Sequence, residues 1–209
     1  MTETSYETGR IADLERPDGW SPIRRALGVS AFGINAWTGK EAGATIITEH
    51  DEQPSGHEEL YVVVAGRATF TVGGEEVDAP VGTIVFVRDP EAKRGAIAAE
   101  AGTTVLAVGA PPGEAYRPGS WETNADVLPM FESGQYEEIK QVLIEALDRY
   151  EDQGTILYNL ACAEAQLGET DAALDHLAAA LQERPDLAES ARDDTDLEPI
   201  RDDPRSPIY

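Results

Sequence analysis

The chain of 209 residues has little positive charge, with 16 lysines and arginines against 40 acidic residues and a net charge of -24. A surface that acidic repels phosphate backbones, and its few basic residues do not cluster, so nucleic acid is not an expected partner. Cysteine is nearly absent. The single Cys162 can form no internal disulfide, and its alanine-rich neighbourhood predicts a buried thiol rather than a reactive one. Long apolar runs are missing too: the longest, Leu60 to Ala65, falls far short of the ~20 residues that a membrane helix needs, so no membrane partner is expected. The first twenty residues carry Glu3, Glu7, Asp13 and Glu15 and no apolar core, so no signal peptide is expected and the expected compartment is the cytoplasm. There is no Ser-His-Asp arrangement, phosphate-cradling glycine loop or cysteine pair at zinc spacing. Nucleophilic catalysis therefore has no candidate residues.

What is present suffices for a packed core, since 41% of the residues are hydrophobic. Between Ser30 and Gly109, short runs of β-branched, aromatic and small apolar residues alternate with glycine or proline, which predicts about eight strands. Gly73-Gly74, between Thr69-Phe70-Thr71-Val72 and Glu75-Glu76-Val77, reads as a two-residue hairpin turn. No helix-length pattern separates the runs, so parallel crossovers are excluded and an antiparallel double-sheet barrel or sandwich follows.

Ala110-Pro111-Pro112-Gly113 and Pro118-Gly119 end that pattern. Beyond them the apolar spacing becomes helical, clearest at Ala173, Leu174, Leu177, Ala180 and Leu181. The charge shifts as well: residues 1 to 119 carry 18 acidic and 10 basic groups, and residues 120 to 209 carry 22 and 6. Gly134-Gln135-Tyr136-Glu137-Glu138 and Ala146-Leu147 are matched 34 residues on by Gly168-Glu169-Thr170-Asp171-Ala172 and Ala180-Leu181. With Tyr158-Asn159-Leu160 and Pro185, this period resembles the tetratricopeptide family, and the resemblance implies two helical hairpins that contact protein. The first unit departs from the pattern at Pro129, Met130 and Glu151.

The β part resembles the cupin family over roughly residues 30 to 115. The residues that carry the resemblance are Glu59-Leu60-Tyr61-Val62-Val63-Val64-Ala65-Gly66 and Pro80-Val81-Gly82-Thr83. It implies a small antiparallel double-stranded β-helix with a central pocket, here near Glu59, Tyr61, Phe70, Phe86 and Val105. It also implies a metal held by two close histidines, that glutamate and a third histidine. Lys93 stands where the third histidine is expected, with Arg94 beside it.

Strand alternation lets His57, Glu59, Tyr61 and Val63 face inward together. One reading is a site of His50, His57 and Glu59 for iron, manganese, nickel or zinc, with positions left open for substrate. Against it, the histidines are seven apart rather than two, and Pro54-Ser55-Gly56 reads as a turn that can carry either to the surface. The other reading makes Lys93 or Arg94 a fixed positive charge that pairs with Glu59 or holds a carboxylate ligand; both also fit an exposed strand start. His176 is expected on the surface of its helix.

The expected protein is thus α+β and multidomain. It has an N-terminal extension (1–29), a cupin barrel (30–113), a linker (114–121), two tetratricopeptide-like repeats (122–186) and an acidic cap or tail (187–209). As a function, this predicts a binding or regulatory module that takes a small molecule or metal in a pocket of Glu59, Tyr61, Phe70, Phe86, Lys93 and Arg94. The alternative is a metal-dependent oxygenase or isomerase using His50, His57 and Glu59. Expected partners are a second copy, through the barrel edge, and a protein bound by the repeats.

Overall fold

The computed structural model describes residues 6–208. It divides into two compact units, one up to Arg117 and one from Pro118 onward.

The first unit is two antiparallel sheets. One has five strands in the order β1 (Trp20–Ser21), β2 (Gly33–Gly39), β9 (Thr103–Ala110), β4 (Glu58–Ala65), β7 (Ile84–Val87). The other has four in the order β3 (Thr45–His50), β8 (Arg94–Ala98), β5 (Arg67–Val72), β6 (Glu75–Pro80). The Gly73-Gly74 turn joins β5 to β6, with φ of 59° and 86° at its two glycines, a conformation that a side chain would strain. Tyr61 and Val63 of β4, Phe70 of β5, Val87 of β7 and Val105 of β9 meet between the sheets as the core. Two short helices, α1 (Ile11–Leu14) and α2 (Ile23–Leu27), precede the second strand. The strand Trp20–Ser21, inside the expected extension, pairs with Trp37 and Ala36.

Two expectations about the interior are corrected. Tyr61, Phe70 and Val105 are 1%, 0% and 0% exposed, and the two rings lie 5.5 Å apart, so these side chains fill the interior rather than line open space. Phe86 points outward and is 47% exposed, while its neighbours Val85 and Val87 point in. The strand Ile84-Val85-Phe86-Val87 is apolar at every position, so alternation cannot tell its two faces apart.

The second unit is helical: α3 (Asn124–Glu132), α4 (Tyr136–Leu147), α5 (Gly154–Leu167), α6 (Thr170–Glu183), α7 (Leu187–Asp193) and α8 (Glu198–Arg201). The third helix continues through Pro129. Helix α5 is buried on both sides. Ile156, Leu160 and Ala163 pack with Ile139 and Leu143 of α4, whereas Ala161, Cys162 and Ala165 pack with Ala173 and Leu177 of α6. The acidic end is tied down, because Leu197, Ile200 and Ile208 join that second cluster and Tyr158 donates to Asp194 at 2.7 Å. His176 is drawn against buried Glu164, 2.7 Å away, and is not a free surface residue. Among the described residues, no helix is long and apolar enough to cross a membrane.

Candidate metal centre

His50 ends β3, and Glu59 is the second residue of β4. The two strands belong to opposite sheets, so these side chains meet between the layers at one end of the core. The turn from Asp51 to His57 spans the gap and carries Glu52. His50, Glu52 and Glu59 offer ligand atoms that all lie within 4.8 Å of one another.

The protonation of His50 follows from its contacts. Its Nδ1 lies 2.7 Å from the carbonyl oxygen of Thr48, which can only accept, so Nδ1 carries a proton. Nε2 then faces two carboxylates, Glu52 Oε1 and Glu59 Oε2, each 3.5 Å away. Burial depresses the imidazole, but the contacts with Glu52 and Glu59 and the hydrogen bond to Thr48 overcome that and push its pKa up to about 10. Burial also raises Glu52, yet His50 and Ser55 outweigh it and hold the carboxyl below its ordinary range.

Glu59 is anchored from behind. The Tyr61 hydroxyl donates to its Oε2 at 2.5 Å, and the Arg94 Nε sits 3.5 Å from the same atom. Burial and the adjacent Glu59 drive the Tyr61 phenol far above its usual range, so it remains a donor. Arg94 has 0% exposure and lies opposite both His50 and Val72 in the second sheet. Its terminal nitrogens donate to the carbonyls of Pro90 and Asp89, and its Nε makes no hydrogen bond. Lys93, one residue earlier, faces out and pairs with Glu49 at 3.8 Å. Adjacent strand residues point to opposite faces, which separates the two cations.

His57 lies beside the cluster rather than in it. Its Nδ1 is 3.5 Å from Glu52 Oε2, and its ring packs on Tyr116 at 5.4 Å. The third carboxylate or imidazole around the central space is thus Glu52, which the sequence reading passed over. A residue inside a turn has no alternation to reveal its direction.

The donor set fits a divalent ion. In a tetrahedron with ligand bonds of about 2.1 Å, neighbouring ligand atoms stand about 3.4 Å apart, close to the spacing of Nε2 from each carboxylate; a direct charged hydrogen bond would be nearer ~2.8 Å. The Nδ1–H to carbonyl contact and the Tyr61 contact to Glu59 are outer bonds of the kind that orient metal ligands. Arg94 offsets one of the two carboxylate charges.

No family model matches the chain, and no curated protein matches it. Among solved structures, it is similar to a cupin protein from Bacteroides fragilis, at 19% identity over 55% of this chain and 93% of that one, with a TM-score of 0.44. It is also similar to an uncharacterized conserved protein with a double-stranded beta-helix domain from Klebsiella pneumoniae (18% identity, 56% of this chain, 100% of that one, TM-score 0.43). A third is a sugar phosphate isomerase from a cupin superfamily from Silicibacter pomeroyi (22% identity, 51% of this chain, 67% of that one, TM-score 0.38). Similarity of this degree carries no activity across.

Proposed function

We propose that the first unit is a cupin-type module that binds a divalent metal through His50, Glu52 and Glu59, with His57 supporting Glu52. One observation carries this reading: the Nε2 of an imidazole whose Nδ1 proton is committed to Thr48 points between two carboxylates, 3.5 Å from each. Imidazole with two carboxylates suits manganese, iron or zinc better than a soft ion. Bound there, the metal would supply Lewis acidity to a small ligand. The chain's own residues orient it: Tyr61 and Arg94 fix Glu59, and Thr48 fixes His50.

The test is elemental analysis of protein purified without chelator or a nickel column, then equilibrium dialysis against zinc and manganese. About one metal per chain is expected, reduced at least about tenfold by His50→Ala or Glu52→Ala. Wild-type protein that takes up neither ion overturns the reading.

A second reading, a metal-dependent enzyme of the oxygenase or isomerase class, is favoured by three protein ligands that leave coordination positions open for a substrate. For the helical unit, the 34-residue spacing supports a tetratricopeptide-type region that binds protein, because Gly134 and Gly168 each precede an α-helix of a packed pair. The exposed Ile84 and Phe86 on β7, the outer strand of its sheet, support a homodimer.

A further inference from the structure

Gly33, Gly109 and Glu59 lie side by side on three neighbouring strands, so the sheet floor beside the glutamate carries two residues without side chains. Both spaces are used. A Cβ at Gly109 would stand 3.1 Å from Glu59 Cγ, and one at Gly33 would stand 2.9 Å from the Tyr116 hydroxyl and 3.2 Å from its ring. Tyr116, beyond β9, therefore lies back over Gly33, with Gly109 between it and the strand of Glu59. Its ring rests on His57 at 5.4 Å, and the Arg24 guanidinium sits 5.8 Å from its centroid. Arg24 is itself nearly buried and donates to the Val29 carbonyl. The ring is thus held on three sides by Gly33, His57 and Arg24.

Charge selects the ligand's sign. With a divalent ion held by neutral His50 and two carboxylates, and Arg94 behind them, the centre carries one positive charge. A monoanion restores neutrality in a site where dielectric screening is weak.

We propose that Tyr116 is the specificity-determining wall of this centre, restricting it to small monoanions of the size of formate or acetate. The inference rests on the metal reading above. A larger acid would need the space that the ring fills over Gly33 and against His57. Nothing in the loop sequence from Ala110 to Arg117 announces this role, because the residue acts by folding back onto a glycine distant in sequence.

The test uses the full chain loaded with cobalt(II), titrated with acetate and with benzoate and followed by visible absorption. Wild-type protein is expected to bind acetate at least about tenfold tighter than benzoate. Tyr116→Ala should bring the two within about threefold by strengthening benzoate, while Tyr116→Phe, which keeps the ring, behaves as wild type. A separate measurement needs no metal: diethylpyrocarbonate modification of His57, located by peptide mass spectrometry, should be faster in Tyr116→Ala. A wild-type protein indifferent to acid size, or a Tyr116→Ala variant with the wild-type ratio, overturns the proposal while leaving the metal reading intact. Failure of wild-type protein to take up cobalt overturns both. Unchanged His57 modification shows that the ring does not cover the site and also overturns the proposal.

Discussion

In the β unit a set of buried and partly buried charged groups converges on one place, whereas in the helical unit the polar contacts are spread along the helices. Arg94, Glu59, Tyr61, His50 and Glu52 form one connected set around a common space. In the helices, Asn159 bonds Asn124 at 2.6 Å, His176 meets Glu164, and Tyr158 meets Asp194, which also accepts from the Cys162 thiol at 3.8 Å. Such contacts satisfy buried groups and fix how helices register. A convergent set instead draws two carboxylates onto one imidazole across 3.5 Å contacts, a grouping of titratable side chains that shifts their pKa values and marks a candidate site. The difference locates chemistry in the strands and packing in the helices.

The largest effects separate the units by stability. Arg94→Met should destabilise the β unit by about 3 kcal/mol, because Glu59 loses the cation behind it and stays largely buried. Leu177→Ala, at a fully buried site of α6, should cost the helical unit a comparable amount, about 3 kcal/mol. In a Trp121→Phe background, which removes the tryptophan of the second unit, Trp20 and Trp37 report the first unit, and circular dichroism at 222 nm is dominated by the second. Each substitution should lower one urea midpoint and leave the other in place. If both probes shift together in both variants, the units unfold as one.

A smaller effect tests what fills the convergent set. With its pKa pushed up to about 10, His50 in metal-free protein is protonated at pH 7 on both ring nitrogens. A metal must displace the Nε2 proton, while Nδ1 keeps its own on Thr48. Zinc binding at pH 7 in weak buffer should release about one proton per ion, and this release should fall away as the pH rises through about 10. Binding with no release at pH 7 would mean that the ion sits elsewhere. His176 provides the contrast, since its pair in the helical unit should not respond to zinc.

How much of this was readable beforehand follows the same division. Alternation in Glu59-Leu60-Tyr61-Val62-Val63 put Glu59, Tyr61 and Val63 on the inner face, and the Gly73-Gly74 hairpin is where its glycines required it. Four features were not legible, each for its own reason. Trp20–Ser21 is too short a strand to show a period. Phe86 sits in a strand apolar on both faces. Lys93 and Arg94 are told apart only by pairing with His50 and Val72, a long-range register. Glu52 and Tyr116 act from irregular segments, where direction is set by tertiary contacts rather than by sequence spacing.

The smallest effect on stability, and the last contrast, concerns the outer face of the strands. β7 lies at the end of its sheet with Ile84 62% and Phe86 47% exposed, and Val64 of neighbouring β4 is exposed beside them. Two such edges can pair antiparallel about a two-fold axis through Val85. That register sets Ile84 of one copy opposite Phe86 of the other on the same face, an aromatic and β-branched pair of the kind that stabilises sheets. The net charge of -24 opposes association, but at physiological salt the repulsion is screened beyond ~8 Å, so charges away from the edge count little. Phe86→Ser should therefore weaken a dimer while changing monomer stability by less than about 0.5 kcal/mol, because the ring is half in solvent already. Light scattering at 0.15 M salt checks the dimer, and urea unfolding at concentrations where the chain is monomeric checks the stability. Wild-type protein holding the 22.5 kDa monomer mass at all concentrations removes the dimer. A dimer that Phe86→Ser leaves unchanged removes β7 as its interface.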